Sequence, residues 1–459
     1  MNNKMTWTNC FSSRRYGFEN NEAGIRTEYE RDWDRIIFSS PFRRLQNKTQ
    51  VFPLPEEVFV HNRLTHSLEV ASVGRSLGKK IGKHLSDTPE VNDNQEAKRF
   101  YRNNLKNVIA SACLAHDLGN PAFGHSGEEA ISKYFRKKQK DMDFRKKFSE
   151  NEWQDLTHFE GNANALRILT MQQKGKVKGG FKLTYSTLGA IIKYPCESLG
   201  SEGKDGEKHL KKYGYFKIDE GVFKDIANEL NLIVHRKDHL VRYKRHPFVY
   251  LVEAADDICY SIIDLEDAHR LGIIEYAVIK ELLISLIDFC EPDQISWIEE
   301  QVLTLEDDKN EALSYLRAKS INALTLKCAE RFIENQSKII DGEYANTLLE
   351  DIREIQPTLK KIREISDEKI YNNIKVVKLE LAGFRIMSGL VEDFVTAALT
   401  PKTKREKEHK KVLELLPKQF SFNEEETDYQ KVMHIIDFIS GMTDLFALKL
   451  YRNLRGIEI

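Results

Sequence analysis

Helical spacing of apolar residues constrains the fold of this sequence more than any other feature. Apolar side chains recur three or four residues apart in seven stretches, which are 63–85, 103–118, 248–271, 273–290, 310–340, 343–368 and 374–398. Proline and glycine, which interrupt helices, number only 11 and 24 among 459 residues, against a usual combined share of roughly 12%. The alternation typical of strands is scarce. The sequence therefore predicts an all-α protein.

Polar, charge-rich segments separate these stretches and are predicted to be loops, at 86–98, 137–155, 196–213 and 401–411. The residues with chemical potential lie on both sides of the first three segments. We therefore expect one compact multi-helix domain with loop excursions, and only 401–411 is a plausible domain boundary. The first 50 residues carry aromatic side chains that predict packing on the core, namely Trp7, Phe11, Tyr16, Phe18, Trp33 and Phe42.

Charge and cysteine usage exclude several classes of protein. The 70 basic and 71 acidic side chains nearly cancel, which excludes proteins that work through a strongly basic or acidic surface. The six cysteines are spread along the chain without a C-x-x-C pair, a pattern typical of reduced thiols in a cytosol. The N-terminus lacks the apolar core of a signal peptide, and no run reaches the ~18 apolar residues of a membrane helix. We therefore expect a cytoplasmic protein that does not span a membrane.

Histidine and aspartate occur at chemically informative positions in the helical stretches. The segment RLTHSLEV places His66 on the inward face of an apolar helix. The segment AHDLGN places His116 and Asp117 at the end of an apolar run, where Gly119 is expected to take the left-handed conformation that stops a helix. Taken alone, each histidine is typical of a buried core residue whose ring nitrogens are hydrogen-bonded.

A third segment, EAADDICYSIID, adds carboxylates to an otherwise apolar helix. Asp256, Tyr260 and Asp264 recur every four residues and therefore share one face. A buried carboxylate needs a partner, because burying it bare costs several kcal/mol. Two imidazoles and two carboxylates from the three segments would satisfy one another through a divalent metal ion. Such a ligand set suits Mn²⁺, Mg²⁺, Fe²⁺, Co²⁺ or Zn²⁺.

The ordered set of His, His-Asp and Asp on helices resembles the HD phosphohydrolase superfamily. Further segments narrow the resemblance to the deoxyguanosine triphosphate triphosphohydrolases: RRLQNKTQVFPL (43–54), RLTHS (63–67), HDLGNP (116–121), FGHSGE (123–128), HFEGNA (158–163), EAADD (253–257) and ISGMTDL (439–445). The resemblance runs from about Arg14 to Arg455 in the family's order. It implies the HD-domain helical fold, with an N-terminal segment (1–60) that packs on the core and contributes to the nucleotide site. An HD catalytic core (61–270) and a helical C-terminal region (271–459), which completes the pocket and makes oligomer contacts, would follow.

The resemblance also implies roles for individual residues. His66, His116, Asp117 and Asp256 match metal ligands for one divalent ion per site, with Mn²⁺ or Mg²⁺ favoured, and Asp257 is an adjacent decoy. The family's reaction is attack of water on the α-phosphorus, which needs a general acid and base. His125 and Glu128 match the catalytic pair and share a face if a helix begins there.

Two further groups of residues match the family's substrate contacts. The triphosphate would be bound by Asn162, Lys193, Tyr194 and Lys212, and without the resemblance Lys211 and Lys212 are equivalent candidates. The nucleoside would be bound by Gln50, Val51, Tyr260, Asp264 and Arg385, with an ion pair as an equal alternative for Arg385.

The leading prediction is a metal-dependent enzyme that hydrolyses dGTP, or several dNTPs, to a deoxynucleoside and inorganic triphosphate. One alternative is an HD phosphohydrolase for another nucleotide, such as a monophosphate or an alarmone. Another is a nucleotide-sensing or single-stranded-DNA-binding protein with little catalysis, which the basic segment 133–147 favours slightly. The resemblance also implies a homo-oligomer, commonly a hexamer, and a single-stranded DNA effector.

Overall fold

A computed structural model describes residues 4–18, 25–52, 60–172, 179–203, 206–237 and 240–457. Pro53 and Leu54 of the predicted family motif lie outside the described residues. The first half of the described chain forms helices α1 (Glu28–Ile37), α2 (Ser40–Arg44), α3 (Arg63–Ser86), α4 (Pro89–Asn92), α5 (Gln95–Asn103), α6 (Leu105–Ala115), α7 (His125–Lys137), α8 (Met142–Arg145), α9 (Glu150–Thr157), α10 (Gly161–Thr170), α11 (Tyr185–Ile191) and α12 (Glu220–Glu229). The second half forms helices α13 (Val249–Arg270), α14 (Tyr276–Cys290), α15 (Ile295–Thr304), α16 (Lys309–Glu334), α17 (Gln336–Ile340), α18 (Leu348–Ile355), α19 (Pro357–Ile365), α20 (Ile374–Leu399), α21 (Lys407–Glu414), α22 (Asp428–Ser440) and α23 (Asp444–Leu454).

Strand structure is confined to one short hairpin in the described part of the chain. Strands β1 (Val234–Lys237) and β2 (Leu240–Tyr243) pair in antiparallel register, with Val234 opposite Tyr243. The predicted all-α class is therefore confirmed. None of the described helices is long and apolar enough to cross a membrane.

The predicted helical stretches match the observed helices closely where one helix fills the whole stretch. The stretches 63–85, 248–271 and 374–398 correspond to α3, α13 and α20 within one residue at each end. The stretch 343–368 is instead split at Pro357, because a proline disfavours helical conformation at the residue before it.

Three of the four predicted loops contain α-helical residues, so those predictions are wrong in part. The segment 86–98 holds α4 and the start of α5, and 137–155 holds α8 and most of α9. Both regions have effective N-caps: the Asn94 side chain accepts from the Ala97 amide, and Ser149 forms a capping box with Glu152. The charges that suggested loops lie on the exposed faces of these short helices. The described part of 196–213 has only short 3₁₀ turns, and 401–411 reaches into the start of α21.

The buried apolar side chains form two clusters. The first spans residues from Met5 to Val376 and holds α3, α6, α13 and α16 together. The second is built around α7, α9, α20 and α22. The first cluster draws on each of the three predicted regions, whose boundaries stay predictions. N-terminal packing is observed: Trp7 is buried, and the ring of Phe11 stacks on Phe100 at 4.1 Å between centroids.

Three glycines on one face of α3 set its distance from neighbouring helices. Gly74, Gly78 and Gly82 are four residues apart and therefore face the same side. A Cβ atom on Gly74 would lie 2.5 Å from Cys113 Sγ, and one on Gly78 would lie 2.8 Å from Lys106 Cα. Both contacts are on α6, so the glycines allow the close approach of the two helices that carry His66 and precede His116.

Gly78→Ala is expected to lower the free energy of unfolding by about 1–3 kcal/mol, because the added methyl group cannot fit against the α6 backbone. Alanine is intrinsically more favourable in a helix than glycine by roughly 1 kcal/mol. A loss of stability on this substitution would therefore have to come from the steric clash. Gly221→Ala on α12 is the control, since no atom lies within 4 Å of a Cβ there. Urea unfolding of both variants measures the effect, and equal stabilities would contradict the packing argument.

Candidate active site

Helices α3, α6 and α13 bring three of the predicted metal ligands together. His66 lies on α3, His116 directly follows α6, and Asp256 lies on α13. Asp256 Oδ1 lies 3.1 Å from His66 Nε2 and 3.5 Å from His116 Nε2. The potential ligand atoms of all three residues lie within 4.8 Å of one another. Three donors at this separation suit a single divalent cation.

The hydrogen bonds of His116 fit a metal ligand. Its Nδ1 donates to the Cys113 carbonyl oxygen at 2.6 Å, so a neutral ring presents the lone pair of Nε2 to the cluster. Nε2 is buried and has no hydrogen-bond partner. Burial opposes ionisation of Asp256, but His116 and His66 hold the pKa of this carboxyl well below its usual range. The site therefore offers two imidazoles and an ionised carboxylate.

Asp117 borders this cluster but makes other contacts. Its Oδ2 accepts from Arg63 Nη1 at 2.8 Å, and its Oδ1 accepts from Asn120 Nδ2 at 2.6 Å. Oδ1 also lies 3.6 Å from His116 Nε2, and a carboxylate oxygen can accept more than one partner. The role of Asp117 as a fourth ligand stays a prediction.

The turn between α6 and α7 differs from the expected helix stop. Gly119 is not left-handed, so that expectation is wrong; the positive φ angles occur at Phe123 (61°) and Gly124 (55°). Gly119 is required for close packing, because a Cβ there would collide with the Gly161 carbonyl oxygen and with the Ala165 amide. The turn thereby packs against α10 before it presents His125.

His125 and Glu128 form a hydrogen-bonded pair in the first turn of α7. His125 Nδ1 lies 2.8 Å from Glu128 Oε2, and this contact raises the pKa of His125. Glu128 is buried, and its Oε1 accepts from the Gly161 amide at 2.8 Å. The His125 side chain is 84% exposed and lines the cavity. The carboxylate thus orients the imidazole and does not itself face the substrate space.

Buried carboxylates hold both predicted triphosphate lysines. Lys193 Nζ lies 3.1 Å from Glu253, which also pairs with Arg245. Lys212 Nζ lies 3.0 Å from Glu160. Burial alone would lower the pKa of each lysine, but these carboxylates raise it, so both lysines stay charged.

The Glu160 carboxylate organises a second predicted residue. Asn162 Nδ2 donates to its Oε1 at 2.6 Å. Neither Glu160 nor Glu253 was assigned a role from the sequence, although both lie inside segments that resemble the family. Their closeness in sequence to predicted site residues could have drawn attention to them, because Glu160 lies two residues before Asn162 and Glu253 lies three residues before Asp256. Lys211, unlike Lys212, is exposed and does not line the cavity.

One cavity of about 470 Å³ joins these groups. Most of the predicted site residues line it, namely Gln50, Val51, His116, Asp117, His125, Asn162, Lys193, Tyr194, Lys212, Asp256 and Tyr260. Four do not: His66, Glu128, Asp264 and Arg385. His66 contacts Asp256 at 3.1 Å and Glu128 contacts His125 at 2.8 Å. The cavity therefore brings His116, Asp256, His125 and both lysines into one space, with His66 and Glu128 in contact with its lining.

Two aromatic rings form part of the cavity wall. The ring of Tyr260 stacks on that of Tyr371 at 5.6 Å between centroids, with planes 12° apart. The Tyr371 hydroxyl donates to Asp264 Oδ2 at 2.8 Å, and burial raises the pKa of Asp264 to about 7. Gln50 Oε1 is buried and has no hydrogen-bond partner.

The C-terminal region adds wall residues that the sequence did not single out. These are Tyr371, Val376, Leu379 and Glu380. Val376, Leu379 and Glu380 belong to an ordinary amphipathic pattern on α20, which contains nothing that separates a pocket wall from a core face. Arg385 lies further along α20 and is exposed. Its contact with the base stays a prediction.

Comparison with known proteins agrees with this arrangement. The HD domain matches residues 63–167, and the phosphohydrolase-associated domain matches residues 352–453. A deoxyguanosinetriphosphate triphosphohydrolase-like protein of Synechocystis is 35% identical over 99% of this chain and 100% of its own. One of Pseudomonas aeruginosa is 36% identical over 98% of this chain and 99% of its own. A deoxyguanosinetriphosphate triphosphohydrolase of Yersinia enterocolitica is 30% identical over 95% of both chains. The chain therefore belongs to the deoxyguanosinetriphosphate triphosphohydrolase-like family of HD-domain phosphohydrolases.

Proposed function

We propose that this phosphohydrolase converts deoxynucleoside triphosphates, dGTP above all, to a deoxynucleoside and inorganic triphosphate. The observation that carries the proposal is the single cavity lined by His116 and Asp256, by His125, and by Lys193 and Lys212. The lysines suit a polyanion, and charge-assisted hydrogen bonds to phosphate are among the stronger polar contacts. A monophosphate would need fewer cations.

In the proposed reaction a water molecule attacks the α-phosphorus and the bond from phosphorus to O5′ breaks. O5′ leaves with a proton as the deoxynucleoside hydroxyl, and the water oxygen stays in the triphosphate. A divalent ion held by His66, His116 and Asp256, with Asp117 as the proposed fourth ligand, would polarise a phosphate oxygen and lower the pKa of a bound water. His125 is the group that moves a proton at O5′, and Glu128 keeps its ring aligned and stabilises the imidazolium.

The nucleoside end of the cavity supports a choice of sugar and base. A 2′-hydroxyl against the stacked ring of Tyr260 would lose hydrogen bonds to water without gaining a partner, which disfavours a ribonucleotide. Asp264 and Gln50 are the proposed partners of the 3′-hydroxyl. Glu380 is a carboxylate on the cavity wall, and guanine offers two N–H donors on one edge where adenine offers an acceptor. This difference favours dGTP.

Assembly and regulation follow from family membership alone and are proposed on that ground. We propose a homo-oligomer, of hexameric form, with single-stranded DNA as a candidate effector. Arg385, exposed on α20, is retained as a proposed base contact.

Product analysis tests the proposed reaction. The protein is incubated with each dNTP and rNTP in the presence of Mn²⁺, Mg²⁺ or a chelator, in water enriched in oxygen-18, and the products are separated by anion exchange. We expect triphosphate that carries the label, unlabelled deoxynucleoside, the fastest turnover with dGTP, and no turnover with chelator. Pyrophosphate as first product, label in the nucleoside, or preference for rNTPs would contradict the proposal.

Glu128→Gln is expected to lower kcat by about 10²–10⁴-fold, because the neutral amide no longer stabilises a protonated His125. KM should change little, since Glu128 does not line the cavity. Glu129→Gln is the matched control on the same helix, because Glu129 is exposed and pairs with Arg136. Steady-state kinetics of both variants measure the difference, and equal effects on kcat would remove Glu128 from its proposed role.

Lys212→Met is expected to raise KM by roughly ten- to a hundredfold, which corresponds to the loss of about 1.5–3 kcal/mol of charged hydrogen bonding. Lys211→Met controls for the loss of one positive charge in the same segment and should behave as wild type. Competition by inorganic triphosphate gives a second measure of binding. A larger effect from Lys211 than from Lys212 would show that the wrong lysine was chosen.

A further inference from the structure

One buried carboxylate outside the cavity binds two of its loops. Asp444 is the first residue of α23 and is buried. Its Oδ2 accepts from the Thr49 amide at 3.0 Å, and its Oδ1 accepts from the Phe123 amide at 2.9 Å. Both oxygens of a single carboxylate are therefore used to hold backbone from distant parts of the chain.

The two loops carry groups that face the substrate space. Thr49, Gln50 and Val51 line the cavity on one side. Phe123 and Gly124 lead directly into His125, and both have positive φ angles. Because positive φ is rare for a phenylalanine, this turn needs contacts from outside itself to keep its shape. The Phe123 amide bond to Asp444 is one such contact.

Two further buried side chains connect the turn before α7 to Ser440, which lies four residues before Asp444. Lys48 Nζ donates to the Asn120 carbonyl at 2.5 Å and to the Ser440 carbonyl at 3.0 Å. Asn164 Nδ2 donates to the Gly119 carbonyl at 2.7 Å and to Ser440 Oγ at 3.3 Å. We call residues 440–444 the C-terminal corner. This corner is the part of the ISGMTDL segment that the proposed reaction leaves without a role.

We propose that Asp444 is a positioning residue, which fixes the turn before α7 so that His125 meets the substrate and at the same time fixes the loop that carries Gln50. Asp444 does not line the cavity and so touches no reacting atom. The inference rests on the proposed function, because it assigns the effect to the step in which His125 moves a proton. Asp444 lies in the region matched by the phosphohydrolase-associated domain, so the inference means that a residue outside the HD match is needed for turnover.

Asp444→Asn provides the test, because the amide has the same shape but turns one of the two acceptors into a donor that faces an N–H group. We expect kcat to fall by about ten- to a hundredfold through misplacement of His125, with KM for dGTP changed less than about threefold. Bound metal, measured by elemental analysis, should be unchanged, since the Asp444 carboxylate accepts from Thr49 and Phe123 and not from any of the four proposed ligands. Hydrogen exchange of the peptide that contains Phe123 should be faster than in wild type.

Asp437→Asn is the matched control, because Asp437 is a buried carboxylate on the preceding helix that binds Arg167 and neither cavity loop. It should lower thermal stability without changing kcat at a temperature where it is folded, or exchange at Phe123. Equal loss of kcat in both variants would reduce Asp444 to a structural role and overturn the inference, as would unchanged kcat in Asp444→Asn.

Two further outcomes are distinguishable. If Asp444→Asn does not fold, Lys48→Gln removes one tie between the same loops and the C-terminal corner, and it must lower kcat in the same direction for the inference to stand. If wild-type protein releases no triphosphate from any dNTP, the proposed function fails and this inference falls with it, whatever the exchange data show.

Discussion

Burial of charge among apolar helices is the constraint on which this site depends. Helix α13 carries two buried carboxylates, Glu253 and Asp264, and a third, Asp256, that lines the cavity, among core side chains of isoleucine, alanine and leucine. An unpaired carboxylate in such a place costs several kcal/mol, so each must be matched when the chain folds. Glu253 is matched by two cations, Asp256 by two imidazoles, and Asp264 by the Tyr371 hydroxyl. The cavity wall that α13 contributes is thus assembled by the same contacts that make this helix compatible with the core.

The same constraint keeps both cavity lysines charged. Burial alone would lower the pKa of each lysine, but Glu253 lies 3.1 Å from Lys193 and Glu160 lies 3.0 Å from Lys212, and these carboxylates raise it. The carboxylates also restrict where each ammonium group lies, so the proposed binding of phosphate oxygens would need little reorganisation. Glu160 and Glu128 both raise the pKa of Lys212. Lys212 and the His–Glu pair therefore form one electrostatic unit.

Helix positions could be predicted from the sequence because they depend on local spacing, and the same spacing indicates that His66 faces inward and that Asp256, Tyr260 and Asp264 share one face. The roles proposed for the candidate site residues come from the resemblance to the family and not from spacing. Partners that come from distant segments could not be predicted in this way: the contact between Asp264 and Tyr371 joins residues 107 apart. The short helices in predicted loops were missed because the charges on their exposed faces masked buried residues such as Val91 and Ala97.

The residues proposed for base selection and for the chemistry lie in different parts of the chain. The HD match contains His66, His116 and His125, and close contacts at glycines hold α3, which carries His66, against α6, which precedes His116. Val376, Leu379 and Glu380, near the start of α20, form the part of the cavity wall that is proposed to contact the base. A substitution there can alter the shape or polarity of the cavity without disturbing a buried ion pair. The proposed base wall therefore lies in the region matched by the phosphohydrolase-associated domain, whereas His66, His116 and His125 lie in the HD match, so the HD signature alone leaves the nucleotide unspecified.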